Sequence, residues 1–216
     1  MKYNLEDFVT ETDVLPGSLT DRKVIFINGP PRSGKDTLGN RFSSQFGTTV
    51  VKMAETLKKS VYADFGLPLD LPIEFFDSVK DIPLPIFDGL SFREACIEKS
   101  EERTKPWRGP KWFGQKLVSK IRRSSSKAFA ITDSGFAAEA EPVMEAVGAD
   151  NCLLLRIHAE ERGVSFAGDS RSYIQLPVLS YDLYNNVTGD TRQFFADADE
   201  IAREFLFGAE LGHFVK

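Results

Sequence analysis

An α/β fold is predicted, a three-layer sandwich of a parallel sheet between helices, and three observations predict it. Short runs rich in apolar and β-branched residues, "KVIFIN", "KAFAIT" and "NCLLLRI", recur along the 216-residue chain. Each has the near-continuous apolar pattern of a strand buried on both faces. Between them lie segments whose apolar residues recur every three or four positions. Strand alternating with helix is the pattern of a parallel sheet covered on both sides.

The elements follow in order. "KVIFIN" ends at a glycine-bearing loop, and a helix is expected from Lys35, with Leu38, Phe42 and Phe46 in line and Gly47 closing it. "TTVVKM" is a second strand. "AETLKKSVYADF" is a helix with Leu57, Val61 and Phe65 on one stripe, stopped by Gly66. Residues 67–88 carry Pro68, Pro72, Pro83 and Pro85. Proline restricts its own φ and its predecessor, so this stretch is expected to be irregular. "SFREACIEKSEER" opens with Ser91 and Glu94 at capping-box spacing. "PKWFGQKLVSKIRR" aligns Phe113, Leu117 and Ile121. "AEAEPVMEAVG" is a short helix that tolerates Pro142 only near its start. After "NCLLLRI" comes a polar loop over residues 158–176, then a weak strand "YDLYNNV" and a closing helix "TRQFFADADEIAREFLF".

The chain reads as an arm over residues 1–22 followed by one domain over residues 23–216. That length buries a core without disulfides or a structural metal. Net charge is −5, which gives no global signal for a nucleic-acid polymer. The basic run "KIRRSSSK" reads as a solvated helix face. No window has the roughly 18 consecutive apolar residues of a membrane helix. The acidic N-terminus lacks the apolar core of a signal peptide. Cys96 and Cys152 are far apart and read as buried thiols of a reducing, cytoplasmic compartment. With His158 and His213 alone beside them, zinc is not expected.

Ligands of such sheets bind at the carboxyl ends of the strands. The loop there, Gly29-Pro30-Pro31-Arg32-Ser33-Gly34-Lys35-Asp36-Thr37, has the spacing of a phosphate-binding loop (P-loop). Successive backbone N–H groups and a helix N-terminus hold a polyphosphate, the glycines let the backbone approach it, and Lys35 supplies a point charge. Asp133, at the end of "KAFAIT", and the loop after Ile157 fall on the same rim. In that loop Arg162 and Arg171 rank above Arg156, which sits at a strand end; phosphoryl transfer needs such cations.

"GPPRSGKDT" resembles the loop of adenylate kinases, and its "RSGKDT" is still more similar to that of bacteriophage deoxynucleoside monophosphate kinases. The resemblance covers most of residues 23–207. It implies a P-loop kinase fold, with ATP and Mg2+ as cofactors and a nucleotide monophosphate as the small-molecule partner. It implies that Gly29, Arg32, Ser33, Gly34, Lys35, Asp36 and Thr37 bind ATP, and that Thr37 bonds an α-phosphate. By the same resemblance Asp36 and Asp133 hold Mg2+ through water, Lys35, Arg162, Arg171 and Asp133 are catalytic, and residues 158–176 form a lid without zinc. "MAETLKKSVYADFGL" resembles the helix that walls the monophosphate site, and Lys58 is the matching residue; Lys58 reads equally as a solvated lysine. "SFREACIEKSEE" brings Arg93 onto the arginine of the phage enzymes, or into a surface pair with Glu94 or Glu98. The acceptor region spans about residues 53–115. The resemblance breaks after Asp133, where Gly135, Ala137 and Ala138 stand in place of an arginine. The acceptor arginine is therefore expected at Arg93, Arg103 or Arg108. Asn185 and Asn186 with Gly189 read as an Asn-rich turn, although they also resemble a segment near adenine. Alternatives are a kinase of phosphomevalonate or dephospho-coenzyme A, or a non-catalytic nucleotide-binding protein. The surface permits a monomer or a homodimer. A phage origin would place the protein in the host cytoplasm.

Overall fold

The computed structural model describes residues 18–169, 171–186 and 190–208. Most of the expected N-terminal arm, Gly189 and His213 lie outside the described residues.

Five strands form one parallel sheet: β1 Lys23–Asn28, β2 Thr49–Val51, β3 Ala128–Ile131, β4 Cys152–His158 and β5 Leu179–Tyr184. Their order is β2-β3-β1-β4-β5, so β1 is central and its carboxyl end feeds the Gly29–Thr37 loop. The strand expected over "TTVVKM" is shorter than its sequence, since Asp133 engages the backbone from Met53 onward.

The period of two in β1 sends alternate residues into opposite layers. Ile25 and Ile27 pack with Leu38 and Phe42 of α1 (Lys35–Phe46) and with Phe194, Ala198 and Ala202 of α7 (Arg192–Phe207). Val24 and Phe26 face the opposite layer. There they meet Leu117 and Ile121 of α5 (Trp112–Arg123) and Ala140, Val143 and Val147 of α6 (Ala137–Val147). The chain is thus a three-layer α/β sandwich.

Residues 54–97 build a small core of their own. Helix α2 (Ala54–Asp64) buries Val61 and Tyr62 against Phe76, Phe87 and Phe92. The Phe76, Phe87 and Phe92 rings lie 5.0–5.3 Å apart, within the range of favourable aromatic contacts. The proline-bearing stretch is irregular, as expected, but clamped by these rings. Ser91 and Glu94 form the complete capping box of α3 (Phe92–Ile97). The chain continues through a π-helical stretch, Glu98–Thr104, into α4 (Lys105–Arg108).

Three expectations need correction. Pro142 is the sixth residue of α6, not near its start. Its missing N–H removes one backbone bond, and its ring lies against Gly114 of α5. Cys96 is only half-buried, against the aromatic cluster, while Cys152 is buried. The 158–176 loop is not exposed throughout: Ile174 and Leu176 are buried in the α5–α6 core.

The α5–α6 contact rests on Gly114, which is buried. A Cβ there would stand 2.0 Å from the Glu139 carbonyl oxygen and 3.2 Å from Pro142 Cδ. Backbone cannot yield as a side chain does. Gly114→Ala is expected to destabilise the fold by about 2 kcal/mol or more despite alanine's better helix propensity. Denaturant unfolding checks this; an unchanged or raised midpoint contradicts the packing described.

Candidate functional site

The site lies where β1, β3 and β4 end together. Asn28, the last residue of β1, is fully buried and ties the neighbouring loops to it. Its Nδ2 donates to the Ser134 carbonyl at 2.6 Å and the Ser172 carbonyl at 3.0 Å. Its Oδ1 accepts from Ile174 N at 3.2 Å. A buried amide must find such partners, so it acts as a rigid three-way join.

The loop that follows is built for backbone donation. Gly34 has φ 109° and Arg32 φ 66°, both in the left-handed region. Such turns aim successive N–H groups into one concavity. Ser33 is fully buried, and its Oγ has no hydrogen-bond partner. An orphaned buried hydroxyl inside this concavity fits a phosphate oxygen. Lys35 is 9% exposed, and its Nζ donates to the Pro30 carbonyl at 2.6 Å. Burial brings its pKa down to about 8, and the Arg171 charge adds to the effect against Asp36, Asp133 and Asp169.

Asp36 is the exposed acid of the loop. Its Oδ1 accepts from Thr132 Oγ1 at 2.9 Å and lies 3.2 Å from Lys52 Nζ. That carboxylate fits a metal's water shell. Asp133 accepts from Met53 N at 2.9 Å and Ala54 N at 2.8 Å, one oxygen each. It thereby caps α2, and it fits a metal only through water, on its remaining lone pairs. Burial raises its pKa, against the pull of those two amides. Thr37 is exposed at the start of α1.

Arg171 comes from the loop after β4. Its guanidinium makes a two-point pair with Asp169, Nε–Oδ1 at 2.7 Å and Nη2–Oδ2 at 2.5 Å. That pair holds the Asp169 carboxyl at about 2. Its stem lies directly over Gly135, the position where the resemblance expects an arginine. Arg162 donates to the Asn185 carbonyl at 3.3 Å. Asn185 in turn donates from Nδ2 to the Ser33 carbonyl at 2.8 Å. Arg162 and Asn185 therefore brace the outside of the phosphate loop. Arg156 is bound to Asp182 of β5.

The remaining residues expected at the acceptor separate. Arg93 pairs with Asp81, and its charge also bears on Asp169 of the Arg171 loop. The Arg32 charge acts on the same Asp81. Lys58 instead points into the small aromatic core. It donates to the Ile73 carbonyl at 2.9 Å and to Asp77 at 2.8 Å. Arg103 is 61% exposed in its side chain and pairs with Glu98. The Arg108 charge bears on Lys116 of α5.

Sequence reasoning missed three participants. Asn185 read as part of a turn. Asp169 was passed over in a loop read for its arginines. Glu139 is buried in α6, 3.5 Å from Lys105, and burial raises its carboxyl to about 7. The Asp133 charge contributes to that rise. A single polar residue inside an apolar helix stripe was the available signal for Glu139.

No protein-family model matches the chain, and no curated protein matches it at a significant level. Similar solved structures include a gluconokinase from Sinorhizobium meliloti 1021, at 10% identity and a TM-score of 0.43. That match covers 88% of this chain and 99% of the other. A shikimate kinase from Bacteroides thetaiotaomicron is similar at 14% identity and a TM-score of 0.43, over 85% of this chain and 98% of the other.

Proposed function

We propose that the protein transfers the γ-phosphoryl group of ATP to a nucleoside monophosphate, a deoxynucleotide by preference, giving ADP and the diphosphate. One observation carries this reading: the left-handed turn at Arg32 and Gly34 encloses a buried Ser33 hydroxyl without a partner and seats the Lys35 amine on the Pro30 carbonyl, while Asn28 ties the Ser172 carbonyl beside Arg171 to the same strand end.

The chemistry asks little more of the chain. An acceptor phosphate oxygen is already an anion, so no general base is required. The backbone N–H groups of Arg32, Gly34 and Lys35 hold the β-phosphate, and Lys35 spans β and γ. Arg171 stabilises the charge that spreads over the γ oxygens in an in-line displacement. Asp36, and Asp133 through water, would hold a magnesium ion, which supplies charge neutralisation at the β and γ oxygens. Arg93 is the acceptor-side guanidinium in this reading, because its fork suits a monophosphate dianion.

A spectrophotometric panel of ribo- and deoxynucleoside monophosphates against phosphomevalonate and dephospho-coenzyme A tests the substrate class. Turnover only with a nucleotide supports the proposal, and turnover only with another acceptor overturns the nucleotide. Lys35→Ala is expected to lower kcat by about 10²- to 10³-fold or more with an unchanged melting temperature; near-normal turnover would sink the mechanism. With Lys35 at about 8 in the free protein, its charge is complete below that pH and is lost above it. ATP affinity is accordingly expected to fall above pH 8, by up to about tenfold per pH unit. Calorimetric Kd values from pH 6.5 to 9.5 check this, and a flat profile contradicts it.

A further inference from the structure

Arg171 lies in a slot whose floor is a glycine. A Cβ on Gly135 would stand 2.4 Å from Arg171 Cδ, 2.6 Å from its Cγ and 3.1 Å from its Cβ. Gly135 is not among the residues with positive φ, so its backbone conformation is open to any side chain. Space, and not conformation, is what calls for glycine here.

Two more contacts fix the same arginine. The Asn28 amide bonds the carbonyls of Ser134 and Ser172, the residues next to Gly135 and Arg171. The two loops are thus stapled together at the point where the stem lies on the glycine. At the far end Asp169 holds the guanidinium fork by two bonds. A free arginine side chain carries about 2 kcal/mol of rotamer entropy. A stem already laid in its slot has lost most of that before any ligand binds, which is what preorganisation for catalysis requires.

The geometry points to Gly135 as a positioning residue for phosphoryl transfer: it leaves the room that Arg171 needs to lie across the loop after β3 and reach the transferring group. This rests on the phosphotransfer reading above. A methyl group at residue 135 meets a flexible stem and not backbone, so the fold can survive by expelling the arginine.

A double-mutant cycle over Gly135→Ala and Arg171→Ala tests it, read in kcat, in the Kd for ATP and in melting temperature. Arg171→Ala is expected to lower kcat by about 10²- to 10³-fold. Gly135→Ala is expected to lower it at least tenfold, and the double variant is expected to match Arg171→Ala within about twofold. Arg171→Ala removes the atoms at 2.4 and 2.6 Å and leaves only the 3.1 Å contact with its Cβ, which a shift of a few tenths of an ångström relieves, so the double variant stays informative even where Gly135→Ala alone folds poorly. A Gly135→Ala enzyme within twofold of wild type, or losses that multiply in the double variant, would overturn the inference. Should the wild type transfer no phosphoryl group to any acceptor, the phosphotransfer reading alone falls. The cycle read in ATP affinity then decides Gly135: a loss shared by both single variants and not deepened in the double supports its role, and independent losses refute it.

Discussion

The constraint on which the site depends is the hydrogen-bonding of one buried amide. Asn28 ends the central strand and must satisfy its side chain without water. It does so by drawing in the Ser134 carbonyl, the Ser172 carbonyl and the Ile174 amide. Those three bonds bring the loops after β3 and β4 to the base of the phosphate loop. An apolar residue there would leave two carbonyls and an amide without those partners, each costing about 1–3 kcal/mol where burial excludes water. The sheet supplies the rim, and Asn28 decides which side chains meet on it.

The charges that gather there follow from this closure. Lys35 and Arg171 are brought near one another in a partly buried place, together with Asp36, Asp133 and Asp169. The acids take distinct roles. Asp133 spends both oxygens on the start of α2, coupling the P-loop rim to the small aromatic core that carries Arg93. Asp169 holds the arginine fork, and Asp36 stays exposed beside Lys52. The pair that orients Arg171 also occupies its guanidinium, so any other anion that takes the fork displaces a carboxylate.

What was legible in the sequence was what local spacing encodes. Gly29, Gly34 and Lys35 stand at fixed offsets because a short loop must wrap a phosphate. Ser91 and Glu94 announce their helix start within four residues, and Leu117 and Ile121 mark a buried stripe. The parallel sheet followed from apolar runs separated by helices. What escaped depends on pairs distant in the chain. Asn28 reaches residues 106 and 144 positions away. Nothing local says that Gly135 is a slot for Arg171, or that Asn185 braces Ser33. Ile174 and Leu176 sit at the end of a polar loop, and only the tertiary fold reveals that they close the core. The partners of Lys58, Asp77 and the Ile73 carbonyl, likewise come from the irregular stretch beyond its own helix.

The central claim is that Lys35 and Arg171 jointly hold the phosphoryl group in flight. It is tested most directly by a crystal structure with a bisubstrate analogue, adenosine and a deoxynucleoside joined through five phosphates. The account predicts that Lys35 leaves the Pro30 carbonyl and that Arg171 leaves Asp169, both closing on the phosphate that stands for the transferring group. A complex in which the phosphates are bound while Arg171 stays on Asp169 and Lys35 stays on Pro30 would contradict it.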